Sequence, residues 1–151
     1  MESAPRGTYE PDRQRREREA VPFASTSTSA SAAALLVIDM QNYTCHREGG
    51  LVVSTHSDLT PAEPAYFWTR LERTVVPNLG EAIALCRRGG LEVIFTVIEC
   101  LTRDCRDNSR DYDISGLRVP KGSWDAKVVD QIAPEEDDIV LPKTSCNVFT
   151  R

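Results

Sequence analysis

Ala34-Leu35-Leu36-Val37-Ile38-Asp39 is the stretch on which the fold turns: five apolar residues in a row, stopped by a carboxylate. The run is too short for a stable helix and lacks a polar face. It therefore reads as a strand buried on both faces, the pattern of a parallel sheet covered by helices. Leu91 to Ile98 (Leu-Glu-Val-Ile-Phe-Thr-Val-Ile) reads as a second strand and Ile139-Val140-Leu141 as a third, closed by Pro142, which cannot donate to a sheet ladder.

The connections complete the pattern. From Phe67 to Arg88, the residues Phe67, Leu71, Val75, Leu79, Ala82, Ile83 and Cys86 recur at three- and four-residue steps and predict an amphipathic helix. Pro77 should kink or restart it. Arg87-Arg88 followed by Gly89-Gly90 suits its end, with cations in the last turn and glycine beyond. Ser123 is a candidate N-cap for a short helix over Trp124 to Ile132, with Asp125 in the first turn. Met40 to Pro64 and Asn108 to Gly122 read as loops, the first long enough to border a site. Strand, helix, strand, short helix, strand implies an α/β fold with parallel strands and right-handed crossovers.

Residues 1–33 differ from the rest. Met1 to Glu19 is nearly all polar and Ala24 to Ala34 is a Ser/Thr/Ala tract. Neither can bury enough apolar surface to offset the entropy of ordering, so a disordered low-complexity tail is expected, with the folded domain over residues 34–151. A transit peptide is disfavoured by Glu2, Glu10, Asp12, Glu17 and Glu19, since such peptides are poor in acids. A net charge of −5 with scattered basic residues excludes an electrostatic nucleic-acid surface. The longest apolar run, Ala32 to Ile38, is far too short to span a bilayer. Five cysteines without regular spacing argue against a disulfide framework. No signal peptide precedes the apolar segment, and a cytoplasmic setting is expected.

In open parallel sheets, ligands bind beyond the carboxyl ends of the strands. Asp39 ends the first strand, and Lys143 follows the third across Pro142. At neighbouring strand ends they share one crevice, where the ammonium holds the carboxylate ionised and the carboxylate can take a proton from a third group. On spacing alone the competing reading is a loop cap and a solvated turn residue.

Four segments together resemble the isochorismatase-like hydrolases: Leu-Leu-Val-Ile-Asp-Met-Gln-Asn at 35–42, Val-Val-Pro-Asn-Leu at 75–79, Lys-Gly-Ser-Trp-Asp at 121–125, and Asp-Ile-Val-Leu-Pro-Lys at 138–143 with Phe149 beyond. The last two are especially similar to the ureidoacrylate amidohydrolase branch. The resemblance implies a three-layer α/β/α fold with a mainly parallel sheet, of which about three strands are expected here. It further implies covalent cleavage of an amide or carbamoyl C–N bond of a small molecule by a Cys-Asp-Lys triad, with no cofactor and a homo-oligomeric complete enzyme. Asp39 matches the aspartate and Lys143 the lysine. Asn42, Trp124 and Phe149 become candidates to wall the substrate pocket, ordinary core packing being the alternative for the two aromatics.

The family's cysteine follows a further strand beyond the lysine, whereas Arg151 stands eight residues after Lys143. The expectation is an N-terminal portion of the domain, nearly inactive by itself, with the apolar first strand left at an exposed edge and prone to association. Two alternatives stay open: a non-catalytic module that pairs with a full-length subunit, and an isochorismatase that cleaves a vinyl ether without the cysteine. Among the cysteines, Cys86 reads as core, Cys45 and Cys146 as loop thiols near the crevice, and Cys100 and Cys105 as loop thiols without partners for zinc. His46, His56 and Asp58 lack the Asp-x-His order with which nicotinamidases of the family hold a metal, so no metal is expected.

Overall fold

A computed structural model describes residues 33–53 and 63–149. The tail expected over residues 1–33 and the pair His56 and Asp58 lie outside the described residues, Ala33 excepted. Three strands, β1 (Ala34–Ile38), β2 (Glu92–Ile98) and β3 (Ile139–Lys143), form one parallel sheet in the order β1-β2-β3. The registers place Leu36 beside Ile94 and Ile94 beside Ile139, then Val37 beside Phe95 and Phe95 beside Val140. Because side chains alternate across a strand, these are rows on opposite faces of the sheet.

The Val37–Phe95 face is the buried one. The helix Val76–Arg88 packs on it through Ile83, Leu79 and Cys86, joined by Val128, Val129 and Ile132. Phe95, at the centre, is wholly buried. On the opposite face Leu36, Ile38 and Ile139 are 49%, 59% and 41% exposed, so a complete second helical layer is not present among the described residues. A smaller cluster of Tyr43, Ile98, Tyr112, Val119 and Ala126 closes the carboxyl end of the sheet, where the site lies.

Four local expectations are corrected. Between β1 and β2 the described residues form α1 (Asn42–Cys45) and α2 (Gly50–Val53) within the stretch expected as loop, then α3 (Glu63–Arg70) and α4 (Val76–Arg88), with a π-helical turn at Leu71–Val75 between the last two. In that turn Val76 N–H reaches back to Leu71 O. The wider turn accommodates Pro77, which has no amide to offer, and adds a residue to the helical count. The apolar face consequently shifts by one: Val75 is exposed and Val76 packs on the core.

Second, the loop at 108–122 contains a helix, α5 (Arg110–Ser115), ended by Gly116 at φ 71°. This left-handed terminator is cheap for glycine. Third, the helix expected over Trp124–Ile132 is a pair of turns, an isolated antiparallel bridge between Gln41 and Val128, and a 3₁₀ turn at Asp130–Ile132. The backbone amides and carbonyls that would have made that helix bond to the segment after β1 instead. Asn42 N–H donates to Lys127 O (2.8 Å), Tyr43 N–H to Asp125 O (3.1 Å) and Val129 N–H to Met40 O (3.1 Å). Tertiary pairing has outcompeted a short helix whose local stability is marginal. Fourth, β3 runs through Pro142 to Lys143. An edge strand tolerates proline where its missing amide would have faced outward.

Candidate active site

Asp39 sits at φ 54°, a left-handed conformation that costs a non-glycine residue about 1–3 kcal/mol and persists only when its surroundings determine it. They do so through four contacts. Asp39 N–H donates to Thr96 O (2.9 Å), and Asp39 O accepts from Thr44 Oγ1 (2.6 Å). Its carboxylate accepts from Thr96 Oγ1 at Oδ1 (2.9 Å) and from Lys143 Nζ at Oδ2 (2.9 Å). The turn thus lifts the carboxylate out of the strand direction and over the ends of β2 and β3.

Lys143 pairs with Ile98 in the register and its side chain is only 6% exposed, against 23% for Asp39. A buried ammonium needs acceptors for its three hydrogens. Besides Asp39, Nζ lies 3.2 Å from Tyr112 Oη and 3.5 Å from Ser145 O. Burial, then the adjacent Cys146 thiol and the Asp39 and Asp111 carboxylates, push the Tyr112 hydroxyl well above its usual range, so it stays a neutral phenol.

Gln41 anchors this rim. Its side chain is fully buried and mimics a strand residue: Nε2 donates to Ile98 O (2.9 Å) and Asp125 O (3.0 Å), while Oε1 accepts from Ile98 N–H (2.6 Å). Asn42 is also buried, and its Nδ2 donates to Trp124 O (2.9 Å). Asp125 accepts from Gly50 N–H (3.2 Å). The Asp-Met-Gln-Asn segment at 39–42 and the Lys-Gly-Ser-Trp-Asp segment at 121–125, far apart in sequence, are therefore bonded to one another. Gly49 closes the first loop against the carbonyls of Asn42 and Tyr43; an added Cβ would fall 2.1 Å from Asn42 O, so only glycine fits.

Asp39 and Lys143 thus meet in one ion pair. Asn42 and Trp124 border a cavity of about 700 Å³ with Cys45, His46, Pro77 and Gln131. Trp124 is 45% exposed and meets the His46 ring edge-on at 4.7 Å, whereas Phe149 is 92% exposed. Ser123, expected as a cap, has a buried hydroxyl without a hydrogen-bond partner among the described residues. Sequence reasoning missed Thr96, Tyr112 and Gln41. Thr96 carried a faint signal, as a lone hydroxyl within an apolar strand; Tyr112 carried none.

The five thiols are placed differently from one another. Cys45 Sγ is directed at Asp39 O (3.9 Å) and Met40 Sδ (3.8 Å), and burial pushes its pKa up, assisted by Asp39 and opposed by bonds from Thr44 and Gln41. Cys100 is pushed up to about 12 by burial and by the neighbouring Cys105 thiol. Cys146 is exposed and donates to Asp111 (3.4 Å); Cys86 packs on the core from α4. Among the described residues no group of three or more His, Cys, Asp or Glu is placed to hold a metal ion. No helix among them is long and apolar enough to cross a membrane.

A parallel α/β sheet carries a carboxylate–ammonium pair at its carboxyl rim, and comparison with known proteins identifies the family. Residues 33–151 match the isochorismatase domain, and the chain belongs to that family. It is 29% identical over 132 residues to the ureidoacrylate amidohydrolase RutB of Klebsiella pneumoniae subsp. pneumoniae, covering 77% of this chain and 51% of that protein. With RutB of Pantoea ananatis it shares 30% identity over 133 residues, 77% of this chain and 48% of the relative. The chain spans about half the length of the curated relatives it matches. The fold is similar to a cysteine hydrolase from Pseudomonas syringae pv. phaseolicola (TM-score 0.55, 22% identity, 77% of this chain and 48% of that one). It is also similar to N-carbamoylsarcosine amidase from Thermoplasma acidophilum (TM-score 0.52, 25% identity, 77% and 54%).

Proposed function

We propose that this chain contributes the acid–base half of a site that hydrolyses a C–N bond in a small ureido- or carbamoyl-type molecule. The observation that carries the reading is the 2.9 Å pair between Asp39 Oδ2 and Lys143 Nζ at the rim of the sheet. The similarity to ureidoacrylate amidohydrolases and to N-carbamoylsarcosine amidase, whose names both specify an amide-type C–N bond, supports the substrate class.

The reaction needs a thiol nucleophile. Cys45 and Cys100 are held protonated by burial, Cys105 is buried beside Cys100, Cys86 is on the core face of α4, and Cys146 is turned to Asp111. The nucleophile is therefore assigned to sequence other than these five cysteines. Asp39 takes the thiol proton as sulfur attacks the carbonyl carbon. The resulting tetrahedral oxyanion collapses with expulsion of the amine, which leaves with the proton returned by Asp39. Water, deprotonated by Asp39, then cleaves the thioester to the acid and regenerates the thiol. Lys143 keeps a positive charge against the carboxylate and the developing oxyanion.

Asp39→Asn tests the reading, because the amide keeps the shape but cannot accept the thiol proton. Turnover of ureidoacrylate-like and simple N-carbamoyl substrates by the intact protein should fall by about 10²-fold or more. Unchanged turnover sinks the assignment of Asp39, and activity confined to vinyl ethers redirects it to isochorismatase chemistry. A second reading rests on a separate observation, the exposed Leu36, Ile38 and Ile139 face beside the outer side of β1, which is unpaired among the described residues. On that reading the chain is an interaction module that completes its sheet with a full-length subunit, and co-purification of such a subunit supports it.

A further inference from the structure

We propose that Tyr112 is the positioning residue for Lys143: its hydroxyl oxygen takes one of the three ammonium hydrogens, and with Asp39 and Ser145 O it locks the ammonium in line with the carboxylate. The proposal rests on the reading of Asp39 and Lys143 as a working pair. The three acceptors stand 2.9, 3.2 and 3.5 Å from Nζ, one for each hydrogen of a group whose side chain is 6% exposed. Removing one of them leaves a buried charged donor without a partner, an expensive state the side chain can escape only by swinging away from Asp39.

The scaffold around Tyr112 is built for this contact. Tyr112 is 4% exposed and packs among Tyr43, Ile98, Val119 and Ala126. The start of α5 is tied to the residue after Lys143 by Ser109 N–H donating to Thr144 O (2.9 Å), so the two residues move as one unit. The other end is fixed by Leu117 N–H donating to Tyr112 O (2.9 Å) and by Asn108 Nδ2 donating to Leu117 O (2.8 Å). A six-residue helix in a polar loop thereby acquires a rigid position.

The chemistry of the acceptor matters as well. A carboxylate in this place would fix the ammonium but cancel its charge. A neutral phenol supplies the lone pair and leaves the positive charge directed at Asp39 and at the oxyanion that forms beside it. Burial first, then the Cys146 thiol and the Asp39 and Asp111 carboxylates, favour the protonated phenol and outweigh the pull of the Lys143 ammonium 3.2 Å away.

Tyr112→Phe deletes one oxygen and keeps the ring in its cluster. In the intact protein, kcat on a carbamoyl substrate should fall about tenfold or more, as for loss of a bond to a charged group, with KM changed less than about twofold. In ¹⁵N-lysine spectra, with the Lys143 signal assigned by its loss in Lys143→Met, hydrogen exchange of the ammonium should speed up by about tenfold or more. Unchanged exchange in folded Tyr112→Phe overturns the proposal, whatever happens to kcat. If the wild type turns over no C–N substrate while Tyr112→Phe still accelerates exchange, the functional reading fails and the positioning role stands. Should Tyr112→Phe not fold, 3,5-difluorotyrosine installed at position 112, studied at acidic pH where its ring hydroxyl stays protonated, weakens the acceptor without removing it. Faster exchange then supports the proposal, and no change overturns it.

Discussion

Replacing Gln41 by methionine should be among the most damaging conservative changes in this protein, and its size can be worked from the geometry. Methionine matches glutamine in length and fills the same fully buried space, so no cavity opens. What is lost is three hydrogen bonds, leaving Ile98 N–H and Ile98 O unpartnered, while Asp125 O keeps the bond from Tyr43 N–H. Each orphaned buried group costs about 1–3 kcal/mol, partly offset because methionine needs no partner itself; the sum is about 3 kcal/mol. Gln41→Ala adds a cavity and should reach about 5 kcal/mol. With a urea slope near 1.5 kcal/mol/M, the methionine variant should unfold about 2 M earlier than wild type in the intact protein, followed by tryptophan fluorescence. Gln41→Glu keeps the shape but turns an anion toward two carbonyls, so it should be at least as unstable at neutral pH and recover part of the loss on acidification. A methionine midpoint within about 0.5 M of wild type would refute the argument, because the rim would then not depend on Gln41's hydrogen bonds.

Two further outcomes are expected. Burial alone would raise the Asp138 carboxyl, but Arg87 and the Glu135 N–H outweigh it and hold it below the usual range, so the Arg87–Asp138 pair contributes fully at pH values above about 4 and is lost as pH falls toward the depressed value. Arg87→Met should therefore cost about 1–2 kcal/mol at pH 7, and the gap from wild type should close in denaturation curves taken below pH 4. The chain should associate through the exposed Leu36, Ile38 and Ile139 face and the outer side of β1, unpaired among the described residues, and Leu36→Lys should reduce that association in sedimentation velocity runs. A monomer with a sharp cooperative melt would count against this.

Relatives half matched in length and geometry together narrow the chemistry more than either does alone. Two of the four segments that resemble the isochorismatase-like hydrolases, 35–42 and 121–125, bond to each other, Gln41 to Asp125 and Asn42 to Trp124, so that part of the resemblance is carried by a structural unit rather than by scattered identities. That unit leaves Asp39 at the end of β1 facing Lys143, while the strained φ of Asp39 is held by threonines on either side of it.

Read alone, the chain of residues decided the three strands, the long amphipathic helix and the placement of Asp39 and Lys143 at strand ends, because apolar runs and their periods are local signals that burial enforces. It also misplaced the short elements. Val75 and Val76 exchanged roles because a π turn before Pro77 is a compromise between a missing amide and core packing, invisible to spacing. Trp124–Ile132 abandoned its helix, and Pro142 stayed in its strand, because partners far away in sequence offered or excused the backbone hydrogen bonds. Tyr112, Thr96 and Gln41 came to the site only through tertiary structure: each works through the polar atoms of one side chain on partners far away in sequence, and a single side chain leaves no period to read.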